Sequence, residues 1–150
     1  MTTFQFDAVR PAALVAAAAA ILLLGSAPAQ ARPAGVPAIP LNNGQETTGA
    51  DTGAHGKFSY DIVDGEFCYT MTVTNLSQPA VAAHIHLAPR EVAGGVVLPL
   101  SVGTGTGWTV SECVPADAAL LDAIAASPRS YYVNVHTPTF PGGEVRGQLK

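Results

Sequence analysis

Between residues 57 and 74 apolar and polar side chains alternate. Phe58, Tyr60 and Ile62 interleave with Lys57, Ser59 and Asp61. After Asp64-Gly65, Phe67, Tyr69, Met71 and Val73 interleave with Cys68, Thr70 and Thr72. A period of two places one set on each face of a strand. Asp-Gly between two such runs signals a two-residue hairpin turn, because both positions need positive φ, which glycine takes freely. The pattern predicts paired strands over Lys57–Val63 and Glu66–Thr74. Further strands are expected over Ile39–Gln45, Val81–Leu87, Val96–Val102, Tyr131–Thr137 and Glu144–Leu149, separated by turn residues such as Asn75, Gly94-Gly95 and Pro141-Gly142-Gly143. One segment has a different period. In Ala-rich Pro115–Ala126, Leu120, Leu121 and Ile124 follow helical spacing, Asp117 favours the start and Pro128 the stop. The expected fold is all-β, an antiparallel Greek-key-like β-sandwich with one short crossover helix. Gly103–Gly107 lacks the Gly-Lys-Ser/Thr ending of a phosphate loop and reads as a flexible turn.

The N-terminal pattern is different again. Arg10 precedes an unbroken apolar run from Ala12 to Leu24, followed by Ala29-Gln30-Ala31. The run is shorter than the roughly 20 residues of a membrane span and fits a signal-peptide core. Residues 1–31 are therefore expected to be a signal peptide cleaved after Ala31, 32–38 a Pro/Ala linker, and 39–150 the exported domain. The expected localisation is secreted or extracytoplasmic, with no membrane insertion after signal removal. About 119 residues remain, enough for one domain.

Composition narrows the partners. The net charge is -4, against the clustered basic charge that nucleic acid requires. The partner expected is an extracellular protein or surface, of unspecified identity. Both cysteines, Cys68 and Cys113, fall in the exported part, where a disulfide is the default state. Closing a loop of about 45 residues would be worth roughly 4 kcal/mol in the loop-entropy account. Because Cys68 shares a face with threonines, the bond is expected to tie a loop or an outer layer to the sheet.

Histidine carries the candidate chemistry. His84 and His86 in Ala83-His84-Ile85-His86-Leu87 lie two apart on an expected strand, so they share a face, with Cα atoms about 6.6 Å apart. Val81, Ala83, Ile85 and Leu87 should line the other face. In Tyr132-Val133-Asn134-Val135-His136 the same logic sets Val133 and Val135 inward and Tyr132, Asn134 and His136 opposite. If the two strands are neighbours, His84, His86 and His136 converge, and three neutral imidazoles suit copper or zinc. Glu144, Asn134 and Arg146 are candidates to stand behind these ligands, where a hydrogen bond can fix a histidine tautomer. The alternative is a polar sheet face in which the same residues form a hydrogen-bonded network without an ion. His55, in Gly53-Ala54-His55-Gly56, reads as a solvated loop residue. No G-x-S-x-G elbow occurs, and no catalytic residue is assigned.

Three blocks resemble the CHRD (chordin-type) domain family: Leu41-Asn42-Asn43-Gly44-Gln45-Glu46, Ala82-Ala83-His84-Ile85-His86, and Tyr132–Thr137 with Phe140–Leu149. Thr47-Thr48 and Leu87 stand where the family often has Pro-Pro and Gly. The resemblance implies a secreted β-sandwich of superoxide-dismutase-like architecture, here as a single-domain exported member of bacterial type. The domains are repeated in chordin, an antagonist of bone morphogenetic proteins. This chain lacks the accompanying cysteine-rich modules, so that role is not implied. The expected function is an extracellular binding or structural module, metal-supported through the histidines. The alternative is a copper- or zinc-binding protein or enzyme. The His-x-His strand is similar to the copper-binding strand of copper/zinc superoxide dismutases, whose two-metal site needs more histidines than the four present.

Overall fold

The structure, a computed structural model, describes residues 1–2 and 38–150. The greater part of the expected signal peptide and linker, residues 3–37, lies outside the described residues. Among the described residues there are eight strands: β1 (Ile39–Asn42), β2 (His55–Val63), β3 (Glu66–Thr74), β4 (Ala82–Leu87), β5 (Gly95–Leu100), β6 (Trp108–Pro115), β7 (Tyr131–His136) and β8 (Val145–Gln148). One helix, α1 (Ala118–Ala126), lies between β6 and β7. The strands form a single sheet in the order β5-β4-β7-β8-β1-β2-β3-β6. Each paired neighbour is antiparallel. The β3–β4 and β6–β7 connections run between strands that are not adjacent, which makes the winding Greek-key-like. The two layers of the expected sandwich are thus one hydrogen-bonded sheet folded around a common core. Phe58, Phe67 and Met71 fill that core from one end of the sheet order, and Ile85, Val133 and Val135 from the other.

The hairpin alternation holds in three dimensions. Phe67, Tyr69, Met71 and Val73 are all buried, and Phe58 is fully so. Asp64 and Gly65 adopt φ of 52° and 83°, the double positive φ of a type I′ turn, which matches the twist of the flanking strands. Asp117 caps α1 by accepting from the backbone N–H groups of Ala119 and Leu120 at 2.9 and 3.3 Å. The helix starts three residues later than the expected Pro115, because Asp117 itself is extended.

Several expectations need correcting. β6 is absent from the predicted strands, yet it forms an edge of the sheet and holds Cys113 directly opposite Cys68 of β3. The Cys68–Cys113 disulfide therefore staples two neighbouring strands and does not tie a loop to the sheet. His55 is the first residue of β2 and remains exposed. Leu87, expected inward, is half exposed because β4 ends there and its register against β5 shifts between Ile85 and His86. Val81 precedes β4 and is also exposed. The largest difference concerns β7, in which all six residues are buried.

Candidate functional site

A strand with two buried faces needs a cover on each. The inward face of β7, Val133 and Val135, meets the apolar core. The opposite face, Tyr132, Asn134 and His136, lies between polar faces of its neighbours. β4 sets His86 opposite Tyr132 and His84 opposite Asn134, and β8 sets Arg146 opposite Asn134 and Gln148 opposite Tyr132. Segments 88–94 and 137–143 bond to this layer through their backbones, and segment 43–53 bonds beside it through the side chains of Asn43, Gln45 and Thr52. Pro141, Gly94 and Gly142 offer carbonyls to His136, His86 and Asn134 at 2.9, 2.9 and 3.3 Å. Gly143 makes one close approach possible: with φ of 127°, a Cβ there would sit 2.2 Å from Glu46 Oε1 and 2.6 Å from Asn134 Nδ2.

The three histidines converge. Their ring centroids are 4.8 to 5.7 Å apart, and one ligand nitrogen from each lies within 4.8 Å of the others. Their protons follow from their partners. A carbonyl only accepts, so His86 and His136 each carry hydrogen on Nδ1, which in the neutral ring leaves Nε2 as the lone pair. His136 Nε2 then accepts, at 3.0 Å, from His84 Nδ1–H. His86 Nε2 is buried and has no hydrogen-bond partner. Burial lowers the pKa of His84, and the neighbouring His86 lowers it further. Burial also lowers that of His136, outweighing the opposing Pro141 hydrogen bond. These two imidazoles are therefore neutral at physiological pH, the form that ligates metal. Two nitrogens on a tetrahedral zinc, each about 2.0–2.1 Å from the ion, lie about 3.3 Å apart. The 3.0 Å between His84 and His136 is already close to that spacing. His84 is only partly buried, so the cluster reaches solvent through it.

The residues expected behind the ligands divide. Arg146 is fully buried, with its guanidinium carbon 3.4 Å from the centroid of the Tyr132 ring. Tyr132 in turn stacks on His86 at 4.8 Å and 7°. Arg146 also donates to the Val92 and Pro89 carbonyls at 2.9 and 2.8 Å. Asn134 stands beside His84 in register but directs its amide to Gly142. Glu144 bonds to none of the histidines. It accepts from Thr52 Oγ1, Ser77 N, Ser77 Oγ and Thr137 Oγ1 at 2.7 to 2.8 Å. Burial alone would raise its pKa, but these donors outweigh that and hold it below the usual carboxylate value. Backbone carbonyls, and not Glu144, orient the rings of His86 and His136, and His136 in turn orients His84.

Two residues of the layer were not singled out for the site. Tyr132 is recognisable on the polar face, and its hydroxyl is engaged by Gly94 N–H. Glu46 lies in the Gln45-Glu46 block, and burial raises its pKa to about 7 despite the Arg146 charge and the Asn134 side chain. Its Oε1 has no partner, nor have Asn134 Oδ1 and Arg146 Nε. With His86 Nε2, four of the five orphaned buried side-chain atoms among the described residues lie in this polar region. Glu66, Cys68 and Cys113 also lie together, but the cysteine sulfurs are bonded to each other and offer no thiolate.

Residues 38–149 match the family model of the CHRD domain. No curated protein and no solved structure matches the chain.

Proposed function

The chain belongs to the CHRD domain family, and from that premise we propose that it is an exported module that binds one copper or zinc ion through His84, His86 and His136. The observation that carries the metal reading is the convergence of the three rings, one nitrogen of each within 4.8 Å of the others, together with His86 Nε2, which is buried and has no hydrogen-bond partner. A buried acceptor left without a donor costs about 1–3 kcal/mol, and an ion would remove that cost. The ligand atoms would be His84 Nδ1, His86 Nε2 and His136 Nε2, with His84 moving its proton to the outer nitrogen.

Export is supported by the signal-like residues 1–31, followed by the linker at 32–38 and the domain at 39–150. The Cys68–Cys113 bond suits an oxidising compartment. Among the described residues no helix is long and apolar enough to cross a membrane. The family supports a binding or structural role toward an extracellular protein or surface, with the ion stabilising the covered polar layer.

A second reading rests on the 3.0 Å bond between His84 and His136, which is satisfactory without an ion. Metal analysis of the purified domain after exposure to copper and to zinc separates the two. The proposal expects one ion per chain in the wild type and loss of uptake in His86→Ala. Absence of stoichiometric uptake in the wild type would leave the hydrogen-bonded network as the correct reading.

A further inference from the structure

His86 is held from two sides, and its two partners are bonded to each other. Gly94 O takes its Nδ1–H at 2.9 Å, Tyr132 lies flat on its ring, and Gly94 N–H donates to the Tyr132 hydroxyl at 3.1 Å. Gly94 belongs to the loop between β4 and β5. Arg146 holds that loop at Val92 and Pro89, while Gln148 Nε2 donates to Ala88 O at 2.9 Å. Arg146 Nη2 also donates to Gln148 Oε1 at 3.2 Å. The guanidinium thus stacks on the ring that stacks on His86 and anchors the loop whose carbonyl sets the His86 tautomer. Lysine could supply the charge but neither the planar stack nor two fixed donors.

We propose that Arg146 and Tyr132 are positioning residues of the histidine cluster: together they fix the ring plane and the Nδ1–H tautomer of His86, so that Nε2 is presented before any ion arrives. The inference rests on the metal reading for its purpose, but its structural content concerns the metal-free protein. Without the stack and the loop anchor, the His86 ring gains freedom to turn and its proton to exchange between nitrogens. An ion must then select one arrangement from several, and affinity falls. Removing a partner that orients a metal-ligating histidine typically costs about 10- to 100-fold in affinity.

The test uses nitrogen-15 NMR of the histidine rings in the metal-free full domain, at a pH well above the ordinary histidine value of about 6.5. Zinc titration and thermal unfolding accompany it. Wild-type His86 is expected as a single Nδ1–H tautomer. In Arg146→Lys and in Tyr132→Leu, mixed tautomers are expected, with zinc bound about 10- to 100-fold more weakly. Tyr132→Phe keeps the stack and the Gly94 carbonyl, so it should retain the tautomer and bind within a few-fold of wild type. If Arg146→Lys does not fold, Tyr132→Leu carries the comparison alone. A pure Nδ1–H tautomer in folded Tyr132→Leu would overturn the proposal, as would Tyr132→Phe scrambling the tautomer as fully as Tyr132→Leu. If wild-type protein takes up no zinc, the metal reading fails, and the tautomer spectra still decide the positioning role.

Discussion

Strand β7 has two buried faces closed by opposite means. Val133 and Val135 enter an apolar core where the rings of Phe58, Phe67 and Tyr69 pack with centroids 5.9 to 6.4 Å apart. One residue along, Tyr132, Asn134 and His136 are buried among a guanidinium, carboxylates, amides and imidazoles. The apolar face gains stability from area and is indifferent to which atom meets which. The polar face gains only where each donor finds an acceptor. Its few unmatched atoms, His86 Nε2 foremost, therefore carry information that a gap between leucines would not.

That contrast can be broken at graded cost. Phe67→Ala should be the most destabilising single change, by about 3–5 kcal/mol, because it empties a fully buried site. Denaturant unfolding would show this, and the folded fraction should keep the proposed uptake of one ion per chain. Glu144→Ala strands the donors of Thr52, Ser77 and Thr137 and should cost about 2–3 kcal/mol. The wild-type carboxylate titrates below its ordinary value when folded. Its contribution is thus complete above that value and lost as pH falls through the folded pKa. An acid-unfolding profile shifted in Glu144→Gln relative to wild type checks the sign.

Glu46 behaves in the opposite sense. Its pKa rises from 4.5 to about 7, so the folded chain keeps a proton that the unfolded chain has released. Its contribution should make stability fall as pH climbs from about 4.5 to about 7 and stay level above. Glu46→Gln should remove that slope and stabilise the protein at higher pH by about 2 kcal/mol, after allowance for partial exposure. Unfolding midpoints of both proteins across the window, with no convergence toward low pH, would refute this account of Glu46.

The apolar half of this arrangement was legible because it has a period. The β2–β3 hairpin, its turn and the inward positions of β7 follow from alternation alone. The helix follows from its cap and its leucine spacing. β6 was missed despite the alternation of Trp108, Val110 and Val114 with Thr109, Ser111 and Cys113. Glu112 occupies the apolar phase there, and a glycine-rich run precedes it. The convergence of His84, His86 and His136 was legible once β4 and β7 were taken as neighbours. The burial of their face was not. Its cover is made by loops without periodicity, and the partners of Glu144 come from three separate places in the chain. Backbone carbonyls such as Gly94 O and Pro141 O, which set the histidine tautomers, leave no residue type to read.

The central claim is that the three rings are arranged as ligands, and one measurement addresses it atom by atom. Histidine nitrogen-15 spectra recorded before and after one equivalent of zinc should show His86 and His136 keeping hydrogen on Nδ1. His84 should transfer its own from Nδ1 to Nε2 as Nδ1 turns to the ion. Identical tautomers at all three residues before and after zinc would contradict the account.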